Sequence, residues 1–593
     1  MTAIEAQRRR FHLALIKPSH YDDEGYVITW WRSPIPSNSL AAVYGLARDC
    51  AARQVLGPDV DFEIEPMDEN NIEVRIPEIV ARIRAADAGM VMLIGVQSNQ
   101  FPRSLDIARQ LREAGIAVAI GGFHVSGVIS MLDGDDQGLR DAKALGVSVF
   151  AGEAEGRLDE VLRDAYAGAL KPLYNYMDDL PGIQGAPIPF MPVGYVDRTA
   201  TRMTSFDAGR GCPFQCSFCT IINVQGRISR RRSPDDVEAI IRENHAQGVH
   251  RFFITDDNFA RNKDWEPILD RLIQLREVDK LSFGLVIQVD TLSYRIPNFV
   301  DKCVRAGVRR VFIGLENINP ANLMAAKKRQ NKITDYRRML LAWREHQVIT
   351  YAGYILGFPN DDFDSVQHDI DVIKRELPVD VLEFFFLTPL PGSEDHQKLY
   401  RAGSPMDPDL NKYDLNHACV PQAGKMDKAE WERCYRAAWA RYYTVDHVTT
   451  LMKRSAATGG QVPNVLFLST WFTGGILIEG VHPLECGALR RKFRHARRYG
   501  LKIESPLVFY PRYWAETVVK LARWAGIYGK YGWQYLKIMA DPKRTEYTDL
   551  ALSPVSDKDD DLEIFKSADA VAYIKQQKHI EAAQHGHTVS PAE

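Results

Sequence analysis

The sequence lacks a surplus of charge of either sign. Its 593 residues include 74 Lys and Arg against 77 Asp and Glu, which leaves a formal net charge of −3. A chain without a basic surplus exerts no long-range attraction on phosphate backbones, so we expect no nucleic-acid partner. Three short basic runs are interpreted as solvated surface: Arg8–Arg10, Arg230–Arg232 and Arg490–Arg498.

The sequence also lacks the patterns typical of a signal peptide and of a disulfide framework. The N-terminus carries charges but no apolar segment ahead of its first strand-like stretch, unlike a secretory leader. Only eight cysteines occur in the chain, and only three of them cluster. This distribution favours a metal site in a reducing compartment over disulfides, and we predict a cytoplasmic protein.

Long hydrophobic runs are scarce, with one exception. Val462–Ile478 is apolar for about 17 residues, the lower limit for spanning a bilayer. Pro463, Gly474 and Gly475 interrupt this run and Glu479 ends it. We predict a buried core segment, with contact to a membrane surface as the alternative.

Residues 11–170 alternate short apolar strands with amphipathic helices. This alternation predicts an α/β fold that begins with a Rossmann-like domain, a five-stranded parallel sheet covered on both faces. No G-x-G-x-x-G motif follows the first strand, which disfavours a nicotinamide cofactor. The strand candidates are Leu13–Lys17, Phe62–Pro66, Met90–Val96, Ala117–Gly121 and Ser148–Ala151.

The ends of three of these strands carry candidate ligand contacts. Ligands of open α/β sheets bind at the carboxyl ends of the strands. Paired glycines at such an end let the backbone approach a flat or bulky ligand closely. The candidates, from the third, fourth and fifth strands, are Ser98, Asn99, Gly121, Gly122, Gly152 and Glu153.

Residues 204–403 follow a Pro- and Gly-rich linker at 171–203 and contain six further β/α units. Six units in series predict a partial (β/α)6 barrel with its site at the carboxyl ends of the strands. Ser233 as N-cap and Pro234 mark the start of its first helix. The strand candidates are Ser205–Gly209, Arg251–Thr255, Ser282–Val289, Arg310–Leu315, Tyr351–Leu356 and Val381–Leu387.

The rest of the chain predicts a different architecture. Residues 404–555 are interpreted as a mostly helical C-terminal domain, in which MDKAEWERCYRAAWARYYT is an amphipathic helix. Residues 556–593 are interpreted as a polar tail whose DKDDD run is solvated.

Cys212, Cys216 and Cys219 lie in the segment GRGCPFQCSFCT, directly after the first barrel strand. Thiolates are the soft ligands of iron–sulfur clusters, and three of them leave one iron open, as a catalytic site requires. A zinc site or an electron-transfer cluster needs a fourth ligand. No C-x-x-C or H-x-x-x-H partner is evident, and Cys303 is isolated. We therefore predict a 4Fe–4S cluster with an open iron.

The loop CPFQCSFC at the end of the first strand resembles the signature of the radical S-adenosylmethionine (SAM) superfamily. The resemblance implies that the open iron binds SAM, and that one electron cleaves SAM to methionine and a 5′-deoxyadenosyl radical. For Asp256, Glu316 and the neighbouring Asp257, a helix cap or a surface ion pair is the alternative. The implied SAM-binding residues are Phe218, Asp256, Gln288, Glu316 and Gly357.

Residues 11–440 resemble the cobalamin-binding subgroup of this superfamily, in which a Rossmann-like domain precedes the barrel. The resemblance implies that the six candidates at the sheet edge contact cobalamin. The D-x-H-x-x-G motif, which supplies a histidine ligand to cobalt in some cobalamin proteins, is absent, because His20 has no Asp two residues before it. His124 is an alternative cobalamin contact, although we favour the interpretation that its ring is hydrogen-bonded within the protein near the sheet edge.

These features predict an enzyme that transfers a methyl group to an unactivated carbon of a small molecule. The implied partners are cobalamin as methyl carrier and a flavodoxin- or ferredoxin-type reductant. Radical oxidation, cyclisation, rearrangement or sulfur insertion is the alternative outcome, and a non-catalytic sensor is a third reading. The aromatic and basic C-terminal region fits a cover for a hydrophobic or anionic substrate, and core packing with a solvated basic face fits equally well.

Overall fold

The computed structural model describes residues 8–134, 136–556 and 561–586, with side chains as far as residue 577 in the last helix. Most of the DKDDD run therefore lies outside the described residues. The strands are β1 Arg9–Lys17, β2 Thr29–Arg32, β3 Val60–Asp68, β4 Ala88–Leu93, β5 Ala117–Gly121, β6 Ser148–Ala151, β7 Leu173–Asn175, β8 Thr204–Phe206, β9 Gly209–Arg210, β10 Arg230–Arg231, β11 Arg251–Ile254, β12 Gly284–Val289, β13 Val308–Glu316, β14 Ile349–Leu356, β15 Val381–Phe386, β16 Gln422–Ala423, β17 Met426–Asp427 and β18 Ala488–Arg491.

The helices connect and cover these strands. They are α1 Asn38–Ala52, α2 Ile76–Ala85, α3 Phe101–Glu113, α4 Phe123–Leu132, α5 Gln137–Ala144, α6 Leu158–Tyr166, α7 Val193–Val196, α8 Ile221–Val224, α9 Pro234–Ala246, α10 Trp265–Glu277, α11 Phe299–Ala306, α12 Pro320–Ala325, α13 Tyr336–Glu345, α14 Phe363–Glu376, α15 Glu394–Arg401, α16 Lys428–Tyr442, α17 Val445–Ala457, α18 Val462–Gly474, α19 Pro506–Ala540 and α20 Ala568–Gly586.

The N-terminal sheet contains six parallel strands in the order β3-β1-β4-β5-β6-β7. Strand β1 is buried on both faces: Leu13 and Leu15 belong to one core cluster, Ala14 and Ile16 to another. A strand covered on both faces needs a continuous apolar run, which is why its position could be predicted from sequence.

The prediction of five strands is wrong by one edge strand, β7, which lies in the segment assigned to the linker. β7 contains three residues, of which only Tyr174 is buried, so it carries no apolar run of its own. The sequence also gave no sign of the β2–β18 pair. This antiparallel pair joins the N-terminal region to the C-terminal region.

The second sheet contains β8, β11, β12, β13, β14 and β15, all parallel and in chain order. The predicted α/β class with a partial (β/α)6 barrel is confirmed. Helix α9 begins as predicted, with Ser233 as N-cap and Pro234 in its first turn. The first barrel strand ends earlier than predicted, at Phe206, and Gly209 belongs to the separate strand β9.

The C-terminal region is mostly helical, and α16 confirms the predicted amphipathic helix. Helix α18 continues as a π-helix over Gly475–Glu479. Within the described residues, Val462–Glu479 is the one helix long and apolar enough to cross a membrane by length and composition, and 61% of it is buried inside the protein. Phe472 in this segment packs on Trp439 and Tyr443, which agrees with the predicted core segment.

The segment interpreted as a polar tail, residues 556–593, includes a short stretch that packs on the protein after the DKDDD run. Leu562 and Ile564 are buried. The backbone N–H groups of Glu563 and Ile564 both donate to the carboxylate of Glu376 in α14. This contact docks the segment before α20 on helix α14 of the barrel.

Candidate active site

The carboxyl ends of the two parallel sheets face each other. Helix α4, which follows β5, lies against the loop after β15 so closely that a Cβ atom on Gly127 would meet the Pro391 carbonyl oxygen at 2.5 Å. Ser130 Oγ in α4 donates to the Asn223 carbonyl oxygen (2.9 Å) in the short helix after the cysteine loop. Ligands bind at the carboxyl ends of the strands in both folds, so the space between the sheets is the candidate active site.

An interdomain ion network spans this space and contains three carboxylates and three guanidinium groups. Arg210 Nη1 lies 2.7 Å from Glu153 Oε2, and Arg210 Nη2 lies 2.7 Å from Glu155 Oε1. Arg230 also pairs with Glu153. Because the network contains as many carboxylates as guanidinium groups, its buried charges compensate one another. The members of the network are Glu153, Glu155, Asp207, Arg210, Arg230 and Arg232.

Next to the network lies a pocket that opens to solvent, called here the inter-sheet pocket; the enclosed space and the adjoining solvent together measure about 1070 Å³. Arg210, Val224 and Gln225 line its barrel side. Small and apolar residues dominate the other side, which leaves room for a bulky flat group. They include Ala42, Leu46, Gly95, Ala119, Gly121, Gly122, Phe150, Gly152 and Ala154.

The structure separates the six predicted cobalamin contacts into two groups. Gly121, Gly122, Gly152 and Glu153 line the inter-sheet pocket, although the Glu153 carboxylate is already held by two arginines. Ser98 and Asn99 lie elsewhere. Ser98 Oγ lies 3.2 Å from His124 Nδ1, and Asn99 Nδ2 donates to Glu485 Oε1 (3.2 Å) in the C-terminal region.

The physical reason why glycine is needed at position 122 differs from the predicted one. Gly122 has φ +146°, and a Cβ atom there would meet the Val96 backbone nitrogen at 2.1 Å. Any side chain at this position would therefore clash with the protein itself. Close packing of two backbone segments, rather than approach to a ligand, requires this glycine.

The two histidines considered as cobalamin contacts are buried outside the inter-sheet pocket. Burial lowers the pKa of His20 to about 4 and that of His124 to about 3. His20 Nε2 lies 3.7 Å from Glu485 Oε2. The ring of His124 packs on Phe101 at 4.3 Å between centroids.

The cysteine loop connects β9 and β10, which form a short antiparallel ribbon with Arg210 opposite Arg230 in backbone register. Cys212 N donates to the Gly226 carbonyl oxygen (3.2 Å), which closes the loop at its base. Ser217 N donates to the Ala326 carbonyl oxygen (3.1 Å), which ties the middle of the loop to the barrel. The thiols are therefore held on a fixed backbone.

The thiols lie among buried charged and polar groups. Burial raises the pKa of Cys212 to about 11 and that of Cys219 to about 12. Burial alone lowers the pKa of Lys328, but attraction to Glu316 and to Cys216 more than offsets this and leaves it raised. Iron binding displaces thiol protons, and a buried cation stabilises the resulting thiolates.

This donor set fits an iron–sulfur cluster. Gln330 Nε2 donates to Cys216 Sγ at 3.5 Å, the kind of hydrogen bond to sulfur that tunes such clusters. In the described part of the chain, no three His, Cys, Asp or Glu side chains lie close enough to share one metal ion. The ligands of a cubane bind different irons, so the three cysteines need not converge on one point.

Two of the predicted SAM contacts, Glu316 and Phe218, come together around Lys328. Its Nζ pairs with Glu316 and lies 5.7 Å from the ring centroid of Phe218. The Phe218 ring in turn packs on Phe358, the neighbour of Gly357, at 6.4 Å between centroids. Glu316 has φ +65°, a backbone strain of the kind found at functional sites.

Gln288 is half-buried on β12, the strand that neighbours β13, opposite Phe312 in register. It shares a strand face with Val286, and the alternate residues of this strand are buried against the helices. The side chain therefore lies on the inner face of the barrel, one strand away from Glu316.

The two neighbouring acids after β11 have different surroundings. Asp256 Oδ1 accepts hydrogen bonds from the backbone nitrogens of Ala208 and Gly209 (2.7 and 2.8 Å), and its Oδ2 accepts one from Asn262. It fixes the backbone before the cysteine loop, a role that the sequence did not indicate. Burial, followed by the nearby charge of Asp256, raises the pKa of Asp257 to about 7, and the charge of Asp257 in turn contributes to the raised pKa of Cys212 and Cys219.

A second open pocket, of about 1080 Å³, lies on the other side of the cysteine loop. Ser217, Gly357 and Thr388 line it, together with Asp395. The Gly357 position has no room for a side chain, because a Cβ atom would meet the Trp431 ring at 2.6 Å. The predicted contact at Gly357 could therefore come only from its backbone.

Comparisons with known proteins agree with this geometry. Residues 208–373 match the family model described as radical SAM superfamily. The bacteriochlorophyllide d C-8(2)-methyltransferase of Chlorobaculum tepidum is 25% identical over 346 residues, which cover 55% of this chain and 72% of that relative. The C-12(1)-methyltransferase of the same organism is 27% identical, over 52% of this chain and 65% of that protein. A hopanoid C-2 methylase of Rhodopseudomonas palustris is 21% identical, over 54% and 58%.

Two solved structures share the fold. The radical SAM methyltransferase TsrM of Kitasatospora setae, solved with cobalamin and a [4Fe-4S] cluster, has a TM-score of 0.56 and 15% identity. The match covers 77% of this chain and 97% of TsrM. The cobalamin-dependent radical enzyme OxsB has a TM-score of 0.50 and 14% identity, over 91% and 82%.

Proposed function

Since the chain belongs to the radical SAM superfamily, as the cysteine loop predicted, we propose that it transfers a methyl group to an unactivated carbon of a small molecule. The proposed cofactors are a 4Fe–4S cluster, SAM and cobalamin, with a flavodoxin- or ferredoxin-type reductant as electron donor. When bound, the cluster supplies the electron that breaks a carbon–sulfur bond of SAM, and cobalamin supplies a carrier for the methyl group.

One observation carries the proposal: the inter-sheet pocket is lined by both domains. Gly121 and Gly152 come from the edge of the N-terminal sheet, whereas Arg210 and Gln225 flank the cysteine loop. A bulky cofactor in this pocket would lie beside the loop that holds the cluster. The pocket alone does not separate methyl transfer from oxidation or cyclisation. The names of the relatives favour methyl transfer, because they include two bacteriochlorophyllide methyltransferases and a hopanoid methylase.

We assign roles to the residues of this chain as follows. Cys212, Cys216 and Cys219 hold the cluster. Phe218, Glu316 and the backbone of Gly357 orient SAM, with Lys328 holding Glu316 in place. The interdomain ion network holds the two sheet edges together and helps to exclude water from the space between them, where a reactive radical has to be protected.

The cluster is tested by anaerobic purification and reconstitution of the full chain. Absorption spectra report iron–sulfur and cobalamin chromophores together, and dithionite with SAM tests for release of 5′-deoxyadenosine. We expect Cys216→Ala to abolish this release. Cys303→Ala is the matched control, because Cys303 is fully buried in α11 and its loss also removes one thiol. Release by the Cys216→Ala variant equal to that of the control would contradict the proposal.

Methyl transfer is tested by mass spectrometry on candidate small molecules, with SAM labelled in its methyl group. Gain of one labelled methyl group in place of hydrogen supports the proposal. Loss of two hydrogens without label supports radical oxidation instead. Because the cluster assay needs no substrate, failure of methyl transfer can be separated from failure of the cluster.

A further inference from the structure

Helix α19, Pro506–Ala540, is 35 residues long and lies on the outside of the protein. At about 1.5 Å per residue it extends for roughly 50 Å. Its inner face packs on the C-terminal helices: Tyr531 OH donates to the Tyr443 carbonyl oxygen (2.8 Å), and the Trp524 ring packs on Trp471. The helix is therefore anchored on one side only.

The outer face of α19 is apolar over its length. Leu507, Trp514, Leu521 and Tyr528 recur every seven residues, a spacing that keeps them on one slowly drifting line along a helix. Their exposed fractions are 86, 59, 52 and 57%. Val518, also exposed, widens the face next to this line. A continuous exposed apolar face of this length marks an interaction surface.

A basic line lies at the far edge of the exposed apolar surface, next to Val519 and Trp533 and away from the line of Leu507 and Leu521. Arg523, Lys530 and Lys537 also recur every seven residues. Arg523 and Lys537 each lie four residues, about one turn, after an exposed apolar residue, Val519 and Trp533. Among the described residues, no carboxylate lies within ion-pair distance of these three cations; the salt bridges of α19 involve other residues.

We propose that α19 docks this protein on the surface of an anionic lipid bilayer, with its outer face in the interfacial region. A helix with aromatic and aliphatic residues on one face and Lys and Arg beside them has the composition of an in-plane membrane helix. Tryptophan and tyrosine, here Trp514 and Tyr528, favour this interface because their rings are apolar and their polar tips hydrogen-bond to water or headgroups.

The charges favour lipid over a second copy of the chain. Helix α19 contains five Lys or Arg residues and one Glu, Glu516, which already pairs with Lys492 and Lys520. Two copies packed through the outer face would bring two basic lines near each other, whereas an anionic headgroup layer would neutralise them. The proposal places the membrane contact on α19 rather than on Val462–Ile478, and it does not depend on the cofactors.

The test is flotation of the full-length chain with vesicles of phosphatidylcholine, with and without phosphatidylglycerol. We expect binding to the anionic vesicles that weakens as salt is raised, and at least tenfold weaker binding to the neutral ones. Leu521→Glu is expected to weaken binding at least tenfold. The matched control is Val278→Glu, since Val278 is 69% exposed on a different helix end. Absence of binding to anionic vesicles at low salt overturns the proposal.

Three further measurements separate the alternatives. Brominated lipids should quench tryptophan fluorescence in the wild type more than in Trp514→Phe. The triple change Arg523→Gln, Lys530→Gln and Lys537→Gln should flatten the salt dependence. Light scattering reports the other occupant: a dimer that Leu521→Glu disperses, without vesicle binding, would assign the face to a second copy and refute the lipid surface.

Discussion

Arg210 and Glu153 connect the two halves of the molecule. Arg210 ends β9, the strand that leads into the cysteine loop, and Glu153 follows β6 in the N-terminal sheet. Arg210 Nη1 lies 2.7 Å from Glu153 Oε2, and both side chains are less than 10% exposed. The contact joins residues 57 positions apart. The geometry of the cysteine loop therefore depends on a residue of the other domain.

We expect Arg210→Met to lower the free energy of unfolding by about 3–5 kcal/mol, because it leaves buried carboxylates without their partner. Urea denaturation measures this change, and iron content after reconstitution reports the loop. Arg305→Met is the control, since its pair with Glu277 is exposed and screened by water. Equal effects of the two substitutions would show that the network does not hold the domains together.

Asp256 and Asp257 are expected to behave differently although they are neighbours. Asp256→Ala removes the acceptor of two buried backbone N–H groups, at Ala208 and Gly209, and should cost about 2–6 kcal/mol of stability. Asp257→Ala removes an acceptor only of its own backbone N–H and should lower the unfolding midpoint much less. The same denaturation experiment compares them, and a larger loss for Asp257→Ala would reverse these roles.

The reduction potential of the cluster should shift in opposite directions when two neighbouring charges are removed. At pH 9, above the Asp257 pKa of about 7, Asp257→Asn removes a negative charge that acts on Cys212 and Cys219 and should raise the potential, because reduction adds negative charge. Lys328→Met removes a buried positive charge beside Cys216 and leaves Glu316 unpaired, so it should lower the potential. Redox titration followed by electron paramagnetic resonance measures both, with the exposed Asp235→Asn as control. Shifts of the same sign in both variants would contradict the placement of these charges.

Filling the inter-sheet pocket should remove cobalamin and spare the cluster. Ala154 lines this pocket and is half-buried, so Ala154→Phe occupies space that the cofactor needs. Absorption spectra after reconstitution with cobalamin should show iron–sulfur bands without bound corrin. Ala144→Phe, on the exposed end of α5, is the matched control. Retention of cobalamin by Ala154→Phe would place the cofactor elsewhere.

Whether a feature could be predicted from sequence depends on how far apart in the chain its interacting residues lie. The buried parallel strands and the Ser233 cap are encoded by adjacent residues, and both were located from sequence. β7 was missed because only Tyr174 in it is buried. Long-range contacts gave no local signal: nothing in the sequence separates Asp256 from Asp257, pairs Glu153 with Arg210, or shows which face of α19 packs inward. The cysteine loop was predictable because its chemistry lies within one short segment.

His417 should make stability depend on pH in the alkaline range. Its ring lies between two acids, with Nδ1 2.9 Å from Asp414 Oδ2 and Nε2 3.1 Å from Asp23 Oδ1. Burial alone lowers the pKa of His417, but its hydrogen bonds to Asp23 and Asp414 raise it to about 10. The pKa in the unfolded chain is about 6.5. A raised pKa means that the folded state binds the proton more tightly than the unfolded state does.

The stabilisation from His417 is therefore complete below about pH 6.5 and is lost as the pH rises towards 10. We expect His417→Gln to be less stable than the wild type at pH 6, and the difference in free energy of unfolding to shrink steadily up to pH 10. Taking the difference removes the titration of groups common to both proteins. His368→Gln, at a 60% exposed position, should differ little from the wild type at any pH. A difference in free energy of unfolding that stays constant from pH 6 to 10 would mean that the His417 ring is not charged in the folded protein. The two carboxylates beside it would then be balanced by other cations such as Lys412.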